Sequence, residues 1–255
     1  TPMDNTELLI LDPEDLRIVA RLELNEPSIA RLSADGNNIY VVGDHSLIRV
    51  IWNGESLSVD ETFNARYRTL EGQTFGWDTV ITDDDAWFLD NGESTQLFTG
   101  SFRGVGISTA PLHLVRVNKQ TGHVTLTEIC GLPNGIVANP PVVDMKRQIV
   151  VGFDSGNGVI SGFDFDEDSV TLRWSHEQNH ACHMLLIPET GQIITADYRP
   201  ELGCEQVVVL DITTGTEVAR VSTTSPIQSA VFPAIGPQGD IYWCSMTTIT
   251  RISVH

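Results

Sequence analysis

At 255 residues the chain is long enough for one large all-β domain or two small ones, and a hydrophobic share of 41% argues for a packed core rather than disorder. Its 34 acidic side chains against 15 basic ones leave a net charge of −19, a field that repels phosphate backbones and anionic lipids and argues against nucleic-acid and membrane-surface partners. No apolar run approaches the roughly 20 residues of a bilayer span, so no membrane insertion is expected. No signal-peptide pattern opens the chain, and its start at Thr1 is that expected of a processed or excised product.

Helical periodicity is nearly absent, and short β-rich runs alternate with Gly, Asp, Asn and Pro turns. The first run, LLILDPEDLRIVARLEL (8–24), reads as two strands around a tight polar turn. IARLSADGNNIYVVGD (29–44) reads as a pair of a different type. DTVITDDDAWFLDN (78–91) repeats that second type, and HLVRVNKQTGHVTLTEI (113–129) repeats the first. The order returns in PVVDMKRQIVVGFD (141–154) with ISGFDFDEDSVTLRWS (160–175), and again in MLLIPETGQIITAD (184–197) with QVVVLDITTGTEVARVS (206–222). AVFPAIGPQGDIYWCS (230–245) begins it once more.

Four strands per unit, recurring about every 40 to 47 residues with one longer interval, mark the blades of a propeller. The expected fold class is all-β: a β-propeller of four-stranded antiparallel blades, about five in this chain, either complete or part of a larger six- to eight-bladed ring. Blades are expected at about 27–68, 73–131, 135–179, 180–226 and 227–255. The stretch 6–25 is expected to close the last blade, which leaves one strand over.

The stretch PPVVDMKRQIVVGFDSGNGVISGFDFDEDSVTLRW (140–174) resembles a repeat of the pyrroloquinoline-quinone-type propellers, in which paired strands lead to Asp, a turn and a closing Trp. ELLILDPEDLRIVARLELNEPSIARLSADGNNIYVVG (7–43) is similar to the related YVTN-type repeats of surface proteins. The resemblance implies a fold and no reaction. Most blades lack the terminal Trp and no region matches a quinone-dehydrogenase site, so the quinone cofactor is not implied.

With the strands of a blade lettered A to D, the D–A and B–C loops fall on one face and the A–B and C–D turns on the other. The first face carries the chemistry. Candidate ligand-binding residues there are His45, Trp77, Asn91, Arg103, Asn139, Asp154, Asn157 and Gln228. The long insertion NGESTQLFTGSFRGVGISTAP (91–111) lies on the same face and, with Phe98, Phe102 and Arg103 among glycines, has the make-up of a lid or of a loop on the rim.

HEQNHACHMLL (176–186) holds the densest cluster of imidazoles. His180 and His183 fall on opposite parities of one strand, so, unless that strand begins after His180, this segment alone does not chelate an ion. Ligands from several blades converging on the channel remain a candidate metal site: Asp78, Asp154, His180 and Asp197, suiting calcium or magnesium, or zinc and manganese through the added His. Candidate catalytic residues are His180 or His183 as a base with Asp78. Four cysteines without a CxxC pair leave a Cys182–Cys204 bridge and free thiols both open.

Three functional readings stand. One is a binding or interaction module taking a small molecule or a protein at a His/Asp-rich channel mouth. Another is a metal-assisted lyase or hydrolase, by analogy with gluconolactonase-like and streptogramin-lyase-like propellers. The third is part of a larger quinoprotein-like ring with its function elsewhere.

Overall fold

Runs such as Ile149-Val150-Val151-Gly152-Phe153 are apolar at both odd and even positions. A strand of that kind needs cover on both faces of its sheet, and the chain supplies it by stacking sheets in sequence order. The structure, a computed structural model, describes residues 6–68, 78–91, 110–137, 139–179, 183–223, 233–244 and 248–253, and the side chains of all of these except 29 and 30.

A hairpin of β1 (Thr6–Leu11) and β2 (Ile18–Leu24) comes first. Blade one contains β3 (Ser28–Asp35), β4 (Asn38–Gly43), β5 (Ser46–Trp52) and β6 (Leu57–Val59), with β7 (Ala65–Arg66) also pairing with β5. Blade two contains β8 (Val80–Ile81), β9 (Asp85–Leu89), β10 (His113–Asn118) and β11 (Val124–Glu128). Blade three contains β12 (Val142–Asp144), β13 (Ile149–Asp154), β14 (Val159–Phe165) and β15 (Val170–Glu177). Blade four contains β16 (Leu185–Ile187), β17 (Gln192–Arg199), β18 (Cys204–Asp211) and β19 (Glu217–Ser222). A last sheet has β20 (Ala234–Ile235), β21 (Ile241–Cys244) and β22 (Ile249–Ile252).

Neighbouring strands pair antiparallel, as in β13 with β14 and β17 with β18. No helix among the described residues is long and apolar enough to cross a membrane. Within the described residues β1 and β2 pair with each other, and the last sheet ends at β22.

The core is a series of interfaces between successive sheets. Leu8 and Leu24 of the hairpin pack on Ile39, Val41 and Val50 of blade one. Tyr40 and Val42 meet Phe88 and Val115 of blade two. Trp87 and Leu114 meet Val150 and Phe163 of blade three. Val151 and Phe153 meet Ile193 and Val208 of blade four. Ile194 and Val207 meet Ile241 and Trp243 of the last sheet. The first strands of blades also approach each other, β3 beside β8 and β12 beside β16, which places strand A of each blade innermost.

The recurring Asp or Asn at the end of strand C caps its own turn. Asn118 Oδ1 accepts the amides of Gln120 and Thr121, and Asp211 Oδ1 those of Thr213 and Thr214. Each turn then closes through an amide four residues along, Gly122 to the Asn118 carbonyl and Gly215 to the Asp211 carbonyl, with both glycines at positive φ. In the first hairpin Leu16 takes this left-handed place, bonding the Asp12 carbonyl at φ 60°. Gln148 does the same in the A–B turn of blade three, where blade four has Gly191.

Arginines tie blades together on this lower face. Arg49 holds Asp60 and donates to the Lys119 carbonyl of blade two. Arg116 holds Asp85 and donates to the Asp166 carbonyl of blade three. Arg173 holds Asp164 and donates to the Thr213 carbonyl of blade four. Trp174, the closing Trp of the quinone-type repeat, donates its indole N–H to the Ile212 carbonyl at 2.8 Å. It lies against two glycines: a Cβ at Gly162 would come within 2.3 Å of its ring and one at Gly215 within 2.6 Å.

Gly162→Ala is therefore expected to destabilise the protein by about 1–3 kcal/mol through overpacking, and by clearly less when Trp174→Ala is also present. Equal losses in both backgrounds, measured by denaturant titration, would remove Trp174 as the cause. Leu16→Gly and Gln148→Gly are each expected to raise stability by about 0.5–1 kcal/mol by relieving a left-handed side chain. A fall in the unfolding midpoint for either variant would refute that account.

Candidate functional site

The upper face is built where strand B ends and the chain crosses from the preceding blade. The Asp at the end of strand B grips that crossing segment. In blade three Asp154, fully buried, accepts the amides of Ile136 and Asn157, the Asn157 side-chain amide and, at 3.4 Å, the Cys130 thiol. Burial pushes the Asp154 carboxyl up, against the pull of these bonds, and pushes the Cys130 thiol up to about 11. In blade four Asp197 accepts the Asn179 amide on one oxygen and Arg220 on the other, with Arg199 beside it at 2.9 Å. Asn91 Oδ1 accepts the Val137 amide.

In blade one Glu26 accepts the amides of His45 and Ser46. The His45 imidazole lies between Arg68, 3.2 Å from Nε2, and Asp44, 3.5 Å from Nδ1. In blade two the buried Asp90 accepts the His113 amide at 2.7 Å on one oxygen and meets its Nδ1 at 2.9 Å with the other. Burial lowers the His113 pKa, but the bond and charge of Asp90 outweigh it and the net shift is upward.

A different environment exists where the inner strands begin. Asp78 and Thr79 precede β8, Asn139 precedes β12, His183 precedes β16, and Arg31 lies in β3. Arg31 Nη1 stands 3.7 Å from Asp78 Oδ1, close enough for an ion pair and too far for a hydrogen bond. His183 senses both charges. Burial first, then Arg31, push its pKa down to about 4 against the opposing pull of Asp78, so the ring is neutral at pH 7. Asp78 Oδ1, Thr79 Oγ1, Asn139 Oδ1 and Ser155 Oγ of the next loop are buried and have no hydrogen-bond partner. Asn139 itself is 0% exposed.

Of the residues singled out from the sequence, the structure thus links Asp78 and His183 and puts Asn139 at the equivalent level of the intervening blade. Asp154, Asn157, Asp197, His45 and Asn91 lie in the crossing-segment bonds instead. His180, Trp77, Arg103 and Gln228 lie outside the described residues, as does nearly all of the 91–111 insertion. Among the described residues no three of His, Cys, Asp and Glu converge as the ligands of an ion. Asp78 Oδ1 is a buried carboxylate oxygen without a hydrogen-bond partner. Cys130, Cys204 and Cys244 are free thiols, so Cys204 is not bridged to Cys182. Arg31 and the Asp90–His113 pair were not singled out. A charged residue inside an apolar inner strand was the available signal for Arg31, and a His opening the strand after the long insertion was that for His113.

No protein-family model matches the chain, and no curated protein matches it. Solved structures do. The β-propeller domain of Cps50 (Swd1) from Myceliophteria thermophila aligns at a TM-score of 0.59 and 10% identity over 98% of this chain and 76% of its own. BamB from Moraxella catarrhalis aligns at 0.58 and 13%, over 97% and 70%. A calcium-binding protein, regucalcin, from Agrobacterium tumefaciens aligns at 0.54 and 14%, over 88% and 70%. At these identities the likeness shows the β-propeller fold.

His183 gives a test of the mouth. Because folding lowers its pKa from 6.5 to about 4, the unfolded chain takes up this proton first. The stability contributed by the neutral ring is complete above pH 6.5 and declines as pH falls toward 4. His183→Gln is expected to lose less thermal stability than the parent between pH 7 and pH 4.5. Parallel declines, or an NMR titration of His183 near 6.5, would contradict a desolvated ring.

Proposed function

We propose that this chain is a β-propeller binding module that seats a small polar molecule at the mouth of its central channel. The observation that carries the reading is the group of buried polar atoms without partners, Asp78 Oδ1, Thr79 Oγ1 and Asn139 Oδ1, at the starts of inner strands in two blades. A buried polar atom left unbonded costs about 1–3 kcal/mol, and the Asp154 and Asp197 carboxylates of this face are satisfied by several donors. A bound ligand meets that need. Arg31 and the neutral His183 lie near Asp78 and add a donor and an adjustable ring.

A second reading puts chemistry at the same place. A neutral imidazole beside a carboxylate is a competent proton acceptor, so His183 with Asp78 supports a lyase or hydrolase, with an ion on Asp78 and His180 as its metal-assisted form. Calcium binding by the regucalcin neighbour is a property of that protein and offers this form only an analogy.

Calorimetric titration against a library of small polar molecules separates the readings. For a binding module, Arg31→Gln is expected to weaken the ligand about tenfold or more and no product should form. Product formation abolished by His183→Ala, with binding kept, would favour the enzyme. Tight binding unaffected by Arg31→Gln or Asn139→Ala would place the ligand elsewhere and overturn the assignment of this mouth.

A further inference from the structure

We propose that a second copy of this chain sets its last sheet against the outer face of the β1–β2 hairpin, so that copies associate head to tail. The hairpin and the last sheet are the two ends of the stack of sheets, and each keeps one open face.

In blades one to four the second and third strands carry no exposed side chain: β4 and β5, β9 and β10, β13 and β14, and β17 and β18 are covered from both sides. Neighbouring sheets supply that cover. The hairpin strand β1 has cover on one side. Leu8 and Ile10 pack on blade one, while Glu7, Leu9 and Leu11 alternate with them and are exposed, Leu9 at 37% and Leu11 at 45%. Ile18, the partner of Leu11 across the hairpin, is 45% exposed as well. At the other end of the stack Ile241, Trp243 and Ile252 pack on blade four. Tyr242 and Arg251, paired with each other, and Ile249 lie on the opposite face, and Ile249 is 76% exposed. Both faces are open in a single chain, so neither covers the other there.

Exposed apolar faces of this kind mark association surfaces, and a second copy carries the matching half. The hairpin presents the side that a blade turns toward the blade before it. The last sheet presents the side that a blade turns toward the blade after it. Setting one on the other continues the series of sheet-on-sheet interfaces that runs through the chain. Charge points the same way. On the hairpin face Arg21 pairs with Glu7, which leaves Glu23, the neighbour of Glu7 across the strands, uncompensated. The last sheet offers the exposed Arg251 guanidinium, held from one side by Asp240. Two hairpin faces together would set Glu7 and Glu23 against their own copies, and like charges disfavour that contact. A contact between unlike faces leaves one of each unused, so copies add into an open chain or a closed ring. The −19 of each copy opposes the approach at long range, and salt screens that repulsion, so association strengthens as ionic strength rises.

Sedimentation of the whole chain over rising concentration, at low and at high salt, tests this. Reversible association is expected, stronger at high salt. Leu9→Lys and Ile249→Lys each place a charge on one open face. Each is expected to weaken self-association about tenfold or more, with the melting temperature unchanged because both side chains are exposed. Mixed together, the two variants are expected to form a one-to-one dimer and nothing larger, since each retains the face that the other has lost. A parent chain that stays monomeric at every concentration and both salts overturns the proposal. So does association that survives either substitution, or a mixture that stays monomeric. Loss of association with Leu9→Lys but not with Ile249→Lys would mean that like faces meet, which also refutes the head-to-tail contact. Monomeric variants with a lowered melting temperature would show the two faces meeting within one chain, and the proposal fails in that case too.

Discussion

Blades one to four are each apolar on both faces, and no single sheet can bury both by itself. That constraint organises the rest. Val150 is covered from blade two and Val151 from blade four, although they are adjacent in one strand. Burial of this kind supplies roughly 25 cal/mol for each Å² removed from water, and it is available only when the neighbouring sheet is present at the right spacing. The blades accordingly depend on one another, and the hairpin β1–β2 draws its core from blade one.

Apolar contact sets the spacing of sheets but not their angular register. Polar groups do that, on two levels. On the lower face an arginine of one blade reaches a turn carbonyl of the next while an aspartate of its own blade holds its other side. On the upper face a carboxylate at the end of strand B collects the amides of the segment arriving from the preceding blade. The same residue type thus serves as a turn cap, an arginine anchor and an amide clamp. Arg49, Arg116, Arg173 and Arg220 are committed to these bonds, and acidic side chains such as Asp83, Asp84, Glu167 and Asp168 lie in solvent-exposed turns.

Against that background the starts of the first strands of the blades differ in kind. Clamp residues such as Asp154 have several donors each, whereas Asp78 Oδ1 and Asn139 Oδ1 have none. His183, which senses the Asp78 charge, is desolvated by its own burial.

The sequence by itself determined the four-strand repeat, the antiparallel pairing, the Asx turns and the division of loops between two faces. These follow from local rules: a period of two along strands, side-chain caps within five residues, and alternation of strand direction. It also placed Asp78 and Asn139 in loops of one face and named His183 as a candidate base. It did not separate Asp78 from Asp154 and Asp197, which read alike at the edges of their strands. Only the tertiary structure decided that Asp154 and Asp197 are filled by donors from the preceding blade and from Arg220, that Arg31 faces Asp78, and that Cys204 is a free thiol. The physical reason is that a carboxylate's role depends on which donors come within about 3 Å. Those donors come from segments that only the stacking of blades brings near.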